Sequence, residues 1–452
     1  MKYAQGKPFL ILLGAVGFLG LVEWIHPTHI GNLELKPVAL LADIQTESVK
    51  NPLETSLAKI ELPKTPPAVA EEHDTVPEGI TPIIDYADST MVGMTAFYQA
   101  LQHRDQLARP VRIAYFGDSF IEGDILTADL RALLQRAYGG AGIGYTEVHP
   151  PFANCRITTL QKSEGWDVRH IMMKDSCENG RLGISQRYAI PMEGAYTEVN
   201  PSRNFAHLDS CEVALCYVQS KQPMTIRVRK NRAQWDTIHT EGNGEIEALP
   251  VCGHLKQLRW HFPADSTATC HGVALEGKRG IVLDNLSFRG TSGMSLNRLP
   301  QQQWNRWAKA RPYDLIVLHY GLNVASKEVI NYDYYNHAMK KVVQKLKKAY
   351  PHAAILIVSV SDREDRINGK LQTLPGVKAL VKYQQKLAAE EHVAYWNLYD
   401  AMGGEGSIVR MAKDQPKGAR MDYTHITTHG GKQIAERFFE TLNYGFQSYL
   451  KP

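Results

Sequence analysis

A serine that directly follows a short apolar run is the first residue whose position suggests chemistry. The stretch VRIAYFGDSFIEGD passes from a β-rich segment into Gly-Asp-Ser at residue 119. By itself Gly-Asp-Ser is ordinary turn sequence, because Gly permits positive φ and both Asp and Ser hydrogen-bond to nearby backbone. A serine becomes a nucleophile only if a base takes its proton and nearby donors stabilise the oxyanion. Ser119 is therefore a candidate nucleophile whose assignment depends on residues elsewhere.

A candidate base lies in the segment ARMDYTHITTHGG near the C-terminus. Asp422 and His425 are three positions apart, which lets the carboxylate reach Nδ1 and leaves Nε2 free to face a serine. The same segment is also consistent with a helix N-terminus capped by Thr427 or Thr428, with the histidine merely on the surface. Both interpretations stay open at this point.

Two further segments offer donors for an oxyanion. Asn323 follows the very apolar run YDLIVLHYG, where its side-chain amide is available at the end of a strand. Gly290 follows the β-rich run GIVLDNLSF, where a backbone N–H without a neighbouring Cβ can act as a second donor; Gly293 is the alternative. Gly and Asn are equally the residues expected in simple turns.

Taken together, the order of these motifs resembles the SGNH, or GDSL-type, hydrolase superfamily. The resemblance covers about residues 110–145 and 280–445: Gly-Asp-Ser, a strand-end Gly, Gly-x-Asn and Asp-x-x-His follow in that order. It implies that Ser119 is the nucleophile, that His425 is its base and that Asp422 orients the base. It also implies an oxyanion hole, formed by the Ser119 amide, Gly290 and the Asn323 side chain. The second block departs from the pattern, since it contains Arg-Gly-Thr-Ser-Gly, so Gly293 competes with Gly290.

Within that superfamily, the layout is similar to membrane-anchored peptidoglycan O-acetylesterases, whose inserted domain resembles a carbohydrate-binding module. This resemblance implies removal of acetyl groups from a cell-envelope glycan through an acyl-serine, with no metal or organic cofactor. Two alternatives stay open: a glycan O-acetyltransferase supplied by a membrane O-acyltransferase, and an inactive glycan-binding protein.

The elements that must position these residues follow an α/β rhythm. Apolar runs such as AAILIVSVS and VAYWNL alternate with amphipathic segments such as DILTADLRALLQRAY and KQIAERFFETLNYGF. This alternation predicts a parallel sheet covered on both faces by helices. Together with the resemblance it predicts a flavodoxin-like, three-layer α/β/α hydrolase domain, formed by residues 86–150 and 276–452. Glu122 and Asp124 are expected to complement the dipole of the helix that follows Ser119.

Residues 151–275 interrupt this rhythm. Alternating segments such as CEVALCYVQ, MTIRVRK and LKQLRWHF have no helical stretch between them, which predicts an inserted β-sandwich of jelly-roll type. All six cysteines lie in this range, enough for up to three disulfides of undetermined pairing. No two cysteines form a CxxC pair, so a zinc site is not expected.

The N-terminus predicts export. Lys2 and Lys7 precede fifteen uncharged residues, 8–22, and no small-x-small cleavage site follows. We expect residues 1–28 to form an uncleaved signal anchor at the periplasmic face of a bacterial inner membrane. Residues 29–85, rich in Pro and Glu, are expected to form a linker.

Composition predicts a globular protein that does not bind nucleic acid. The chain is 44% hydrophobic and 22% charged, and its formal net charge of +4 is small for 452 residues. The basic run at 340–348 has the spacing of an amphipathic helix with a solvated face.

Overall fold

The computed structural model describes residues 76–451, apart from 174, 203, 204 and 206–210, together with residues 29, 30, 33, 34 and 60. The chain divides into two units, Met1–Ala58 and Lys59–Pro452. In the first unit, strands β1 (His29–Ile30) and β2 (Leu33–Glu34) pair in antiparallel fashion. The segment predicted as a membrane anchor lies outside the described residues. Among the described residues, no helix has the length and apolar character needed to cross a membrane.

The second unit contains the other strands and helices of the described residues. Its strands are β3 (Ile84–Asp85), β4 (Val111–Gly117), β5 (Gly144–Glu147), β6 (Thr159–His170), β7 (Arg187–Pro201), β8 (Cys211–Gln219), β9 (Thr225–Lys230), β10 (Trp235–His239), β11 (Ile246–Leu255), β12 (Leu258–His261), β13 (Thr269–Glu276), β14 (Ile281–Ser287), β15 (Leu315–His319), β16 (Ala354–Val358), β17 (Glu364–Ile367), β18 (Lys370–Thr373) and β19 (Ala394–Trp396). Its helices are α1 (Met94–Gln102), α2 (Thr127–Tyr138), α3 (Gln301–Ala310), α4 (Asp333–Ala349), α5 (Pro375–Glu390), α6 (Leu398–Ala401), α7 (Ser407–Lys413) and α8 (Thr428–Tyr449).

A six-stranded sheet in the order β14-β4-β15-β16-β19-β3 forms the centre of the predicted hydrolase domain. The first five strands are parallel, and counted along the chain their order is 2-1-3-4-5, the flavodoxin-like arrangement. This confirms the predicted α/β class. The sheet differs from the prediction at one edge, where β3 pairs with β19 in antiparallel fashion. Two residues at the end of the predicted linker are too few to show a strand pattern in the sequence.

The register of this sheet brings three loops to the same level. Gly117, the last residue of β4, is aligned with Ser287 of β14 on one side and with His319 of β15 on the other. The carboxyl ends of these three strands therefore lie together. In the 2-1-3-4-5 order the sheet reverses its winding between β4 and β15, which is where ligands bind in doubly wound sheets.

Two groups of helices pack against the sheet. Helix α8 packs on α2 and α1, and α4 packs on α3 and α5. Strand β16 contacts both α1 and α5, and all five of its residues are buried. Strands β4 and β15 are also buried throughout, as expected for parallel strands covered on both faces.

The region predicted as an insert supplies most strands of a second sheet. Nine strands form one continuous hydrogen-bonded sheet in the order β10-β9-β12-β7-β13-β8-β11, with β5 paired to β13 and β6 paired to β7. The sheet has two arms, β10-β9-β12 on one side of β7 and β13-β8-β11 on the other. The fifteen-residue strand β7 joins them, because it pairs with β12 near its C-terminal end and with β13 at Ala189. Side chains of both arms, including Val228, Trp260, Cys216 and Val251, share one buried cluster. All six cysteines are free thiols.

A buried cluster of charged residues joins the insert to the hydrolase domain. The guanidinium of Arg311, which ends α3, donates to Asp284 of β14 at 2.9 Å and to Glu276 of β13 at 3.0 Å. It also donates to the hydroxyl of Tyr217 in β8 at 2.7 Å. Arg112 of β4 donates to Glu276 at 3.1 Å. Buried charges are tolerated only when they are paired in this way, so the cluster fixes the insert against the central sheet.

Candidate active site

Ser119, His425 and Asp422 form a continuous hydrogen-bonded chain. Oγ of Ser119 lies 3.3 Å from Nε2 of His425, and Nδ1 of His425 lies 2.9 Å from Oδ2 of Asp422. Ser119 stands directly beyond β4, half-buried, at the carboxyl edge of the sheet. The arrangement gives the serine a base and gives the base an orienting carboxylate, which are the requirements for an activated nucleophile.

The loop before α8 holds the histidine by its backbone. Ala419 and Ile426 form an isolated β-bridge, and the Arg420 amide donates to the His425 carbonyl at 2.8 Å. The hydroxyl of Thr427 accepts from the Gly430 amide at 3.2 Å and so caps α8. The helix cap and the Asp–His pair therefore coexist in this segment, although the sequence offered them as alternatives.

The carboxylate of Asp422 accepts hydrogen bonds on both oxygens. Oδ1 accepts the amides of Thr424 at 3.1 Å and His425 at 3.0 Å, while Oδ2 accepts the imidazole. Partial burial alone would raise the pKa of Asp422, but the hydrogen bonds from His425 and Thr424 outweigh it and hold that pKa below its ordinary value. The group is thus kept ionised, as it must be to stabilise an imidazolium.

The side chain of Asn323 links the segments that follow β4, β14 and β15. Its Nδ2 donates to Oδ2 of Asp118 at 2.9 Å and to the carbonyl of Thr291 at 2.9 Å. Asp118 precedes the nucleophile, and Thr291 follows Gly290. Both amide hydrogens of Asn323 therefore have acceptors. One of these two hydrogen bonds must break or be shared before the side chain can donate to an oxyanion.

The two candidate glycines differ in their surroundings. Gly290 is exposed, has φ +77°, and a Cβ built there meets nothing within 4 Å. Gly293 is buried, has φ +87°, and a Cβ there would lie 2.7 Å from the ring of Tyr320. Among the described residues, neither the Gly290 amide nor the Ser119 amide has a hydrogen-bond acceptor. The Gly293 amide likewise has no acceptor there, so exposure alone separates the two glycines and favours Gly290 as the one more open to a ligand.

Asp118 is a buried acid directly beside the nucleophile. Its side chain accepts the Phe120 amide at 2.9 Å as well as the Asn323 amide, and the residue is 1% exposed. Burial raises the pKa of Asp118 to about 6, although these hydrogen bonds and the nearby His425 oppose the shift. The sequence did not predict a buried acid at this position, because Asp in Gly-Asp-Ser is equally a turn residue.

Asp124 is placed differently from the expectation that it would only complement a helix dipole. Its carboxylate is fully buried and pairs with Arg131 at 3.3 Å and with Arg156 at 2.8 Å. Burial would raise the pKa of Asp124, but the two arginines outweigh it and hold that pKa far below its ordinary value. Since Arg156 lies at the start of the insert, this cluster ties the turn after Ser119 to the inserted domain.

Glu122 pairs with Arg289 near the surface, with Oε2 accepting from Nε at 2.9 Å.

Within the residues that the structure describes, no group of three or more His, Cys, Asp or Glu side chains is arranged to hold a metal ion.

The comparison with known families agrees with this geometry. Residues 264–431 match the GDSL-like lipase/acylhydrolase family, a range that contains Gly290, Asn323, Asp422 and His425 but not Ser119. The match covers less than half of the chain. Together, the strand order, the Ser119–His425–Asp422 hydrogen bonds and this match support an SGNH-type, or GDSL-type, hydrolase domain, the class that hydrolyses carboxylic esters.

A solved structure of a peptidoglycan O-acetylesterase is similar over most of the chain. It aligns with a TM-score of 0.65 and 20% identity, covering 81% of this chain and 99% of its own. This likeness shows that the two proteins share a fold.

Other solved structures align less well. A family two carbohydrate esterase from Cellvibrio japonicus gives a TM-score of 0.26 and 11% identity over 65% of this chain and 99% of its own. A salicylyl-acyltransferase from a tetracycline biosynthetic pathway gives 0.28 and 14% over 63% and 96%. No curated protein sequence matches the chain.

Proposed function

We propose that this protein is a serine esterase that removes O-acetyl groups from a cell-envelope glycan, and that the glycan is peptidoglycan. The observation that carries the proposal is the chain from Oγ of Ser119 through His425 to Asp422, at 3.3 and 2.9 Å. The esterase class follows from the domain itself. The substrate rests on the shared fold with a peptidoglycan O-acetylesterase and on the exposure of the site.

The proposed reaction has two steps. Nε2 of His425 takes the proton of Ser119 while Oγ attacks the acetyl carbonyl carbon, and the imidazolium then protonates the departing sugar oxygen. Water, deprotonated by the same imidazole, releases acetate from the acetyl-serine. The amides of Ser119 and Gly290, together with the Asn323 side chain, are the proposed oxyanion donors, each typically worth a few kcal/mol in the transition state. No metal or organic cofactor is required.

An open site favours a polymeric substrate. The side chains of His425 and Asp422 are 39% and 49% exposed, so the catalytic groups lie at the surface. Asn323 is likewise exposed. A small acyl group that projects from a glycan strand reaches such a site without the strand entering a cavity. A long-chain lipid ester instead needs an apolar enclosure for its acyl chain.

The proposed location is the periplasmic face of the inner membrane. Its support is the sequence alone: two lysines before an uncharged run of fifteen residues. We propose likewise that the insert works as a β-sandwich of the carbohydrate-binding kind, for which its single core shared by two antiparallel arms is the support.

The test is acetate release from O-acetylated peptidoglycan, compared with acetylated xylan and 4-nitrophenyl acetate, by the wild type and Ser119→Ala. We expect release from peptidoglycan to exceed release from xylan, and the variant to release none from any substrate. Preferred cleavage of xylan would overturn the glycan assignment. Transfer of acetyl from a donor to deacetylated glycan in place of hydrolysis would establish the acetyltransferase alternative. A variant with wild-type turnover would overturn the site.

A further inference from the structure

One arm of the insert presents an outward face rich in arginine and aromatic side chains. On β9 and β12, Val228 and Trp260 point into the core, so their neighbours along each strand point outward. The strand register aligns these outward residues across four strands, and we call the set the arginine face. Its members are Tyr196, Arg227, Arg229, Trp235, Arg259 and His261.

The rings and guanidinium groups of the arginine face are in contact with one another. The guanidinium carbons of Arg227 and Arg229 lie 4.9 and 5.0 Å from the ring centroid of Trp235. On the adjacent strands, the guanidinium carbon of Arg259 lies 4.1 Å from the ring centroid of Tyr196. The ring of His261 stacks on that of Tyr196 with 5.6 Å between the centroids. Each guanidinium group thus lies close to an aromatic ring, which restricts its position before any ligand arrives.

The charge on this face is compensated at one side only. Arg259 pairs with Glu198 at 3.4 Å, and Glu164 lies opposite Tyr196 on β6. Arg227 and Arg229 have no carboxylate partner among the described residues. Arg227 is exposed, and Arg229 and Trp235 are half-buried. The β9–β10 side of the face therefore offers two cations and an indole ring to solvent.

A neighbouring imidazole responds to this concentration of positive charge. Partial burial lowers the pKa of His261, and the charges of Arg259, Arg227 and Arg229 lower it further. Such a field attracts an anion. The guanidinium fork matches a planar carboxylate, and the flat indole beside it matches the apolar face of a sugar ring.

We propose that the arginine face binds a carboxylate-bearing glycan strand, at a site separate from the catalytic triad. The choice of a glycan over other anions rests on the proposed function, since the stem peptides of peptidoglycan carry free carboxylates. The modest net charge of +4 argues against a nucleic acid as the partner. Binding at this site retains the enzyme on the polymer while the triad acts on its acetyl groups.

The test uses the full chain with Ser119→Ala as parent, so that the glycan is not consumed, and measures co-sedimentation with purified peptidoglycan sacculi. Arg227→Gln with Arg229→Gln removes the two unpaired cations. Arg232→Gln with Lys256→Gln is the matched control. Both residues are exposed in turns of the same insert, and the two substitutions remove the same amount of charge. We expect the first pair to weaken binding at least about tenfold, the loss of roughly one charged contact, and the control to bind as the parent does.

Three outcomes would overturn the proposal: equal binding by the parent and the first pair, equal losses in both pairs, or tighter binding of the parent to poly(U) or anionic vesicles than to sacculi. In the Ser119 background, 4-nitrophenyl acetate hydrolysis by Arg227→Gln/Arg229→Gln should match the wild type. Because binding and hydrolysis are measured separately, a failure of this inference is distinguishable from a failure of the esterase assignment.

Discussion

Ser119 and His425 are 306 residues apart in the chain, yet Oγ of one lies 3.3 Å from Nε2 of the other. The sheet produces this contact. Ser119 follows β4, the first parallel strand, and α2 is the first α-helix after it. His425 precedes α8, the last helix, and α8 packs on α2. The proton path thus depends on packing between the two ends of the hydrolase domain.

Asp422→Asn should reduce kcat on 4-nitrophenyl acetate by about 10³- to 10⁴-fold, because an amide no longer holds the imidazole in the tautomer that accepts from serine. Steady-state kinetics measures the effect. Asp414→Asn, an exposed change in the same loop region, is the control and should leave kcat unchanged. A loss below tenfold for Asp422→Asn would contradict its assignment.

Asn323→Ala should lower kcat by about 10²- to 10³-fold with little change in KM, since the amide acts on charge that develops only in the transition state. Asn331→Ala, exposed in the loop before α4, serves as the comparison. An equal rise in KM with unchanged kcat would mean that Asn323 binds substrate in its ground state instead.

Gly290→Ala and Gly293→Ala should separate by stability. Both place a Cβ at positive φ, which costs about 1–2 kcal/mol. Only the second overlaps a buried ring, that of Tyr320, and should lose about 1–3 kcal/mol more. Urea unfolding of the two variants measures the difference. Equal losses would show that the region around Tyr320 relaxes freely.

Asp118→Asn should change how stability depends on pH. Burial raises the folded-state pKa of Asp118 to about 6, above the ordinary value of 3.8. The ionised form therefore destabilises the fold above pH 6, and this penalty disappears as the pH falls from 6 to below 4. A shift of this size corresponds to roughly 3 kcal/mol.

The difference in unfolding free energy between Asp118→Asn and the wild type should accordingly favour the variant most at pH 8 and decline toward pH 4. Taking the difference cancels titrations that the two proteins share. A difference that is constant between pH 4 and 8 would contradict the raised pKa.

Asp124→Asn should destabilise the fold by about 3–5 kcal/mol, because it leaves Arg131 and Arg156 with uncompensated buried charge. Glu122→Gln is the comparison, because Glu122 is 14% exposed but its partner Arg289 is 61% exposed; solvent around the arginine should limit this pair to about 1 kcal/mol. Denaturant titration compares the two. Similar losses would mean that the buried cluster is no stronger than the surface pair.

The sequence anticipated those parts of the site that depend on short spacing. Asp422 and His425 are close in the chain, and strand ends place Ser119, Gly290 and Asn323 at one edge once the α/β order is known. The partners of Asp124 were not foreseeable in this way, because Arg156 and Thr158 approach it only when the insert folds back on the turn.

The same limit applies to the edge of the sheet and to the insert. Strand β3 contains two residues, fewer than any alternation can reveal. Alternation on β9 and β12 indicated strands, but the contacts among Arg227, Arg229 and Trp235 depend on how those strands pair. Pairing register is a property of the folded sheet and not of any one segment.

The division of the catalytic groups between the two ends of the hydrolase domain has a further consequence. A ribosome that has not reached the codon for His425 holds a chain with the hydroxyl but no proton acceptor for it. Proteolytic cleavage before Asp422 leaves the same incomplete N-terminal fragment. Ester cleavage therefore requires a chain that extends past His425. A shorter fragment is inactive even where its central strands have already assembled.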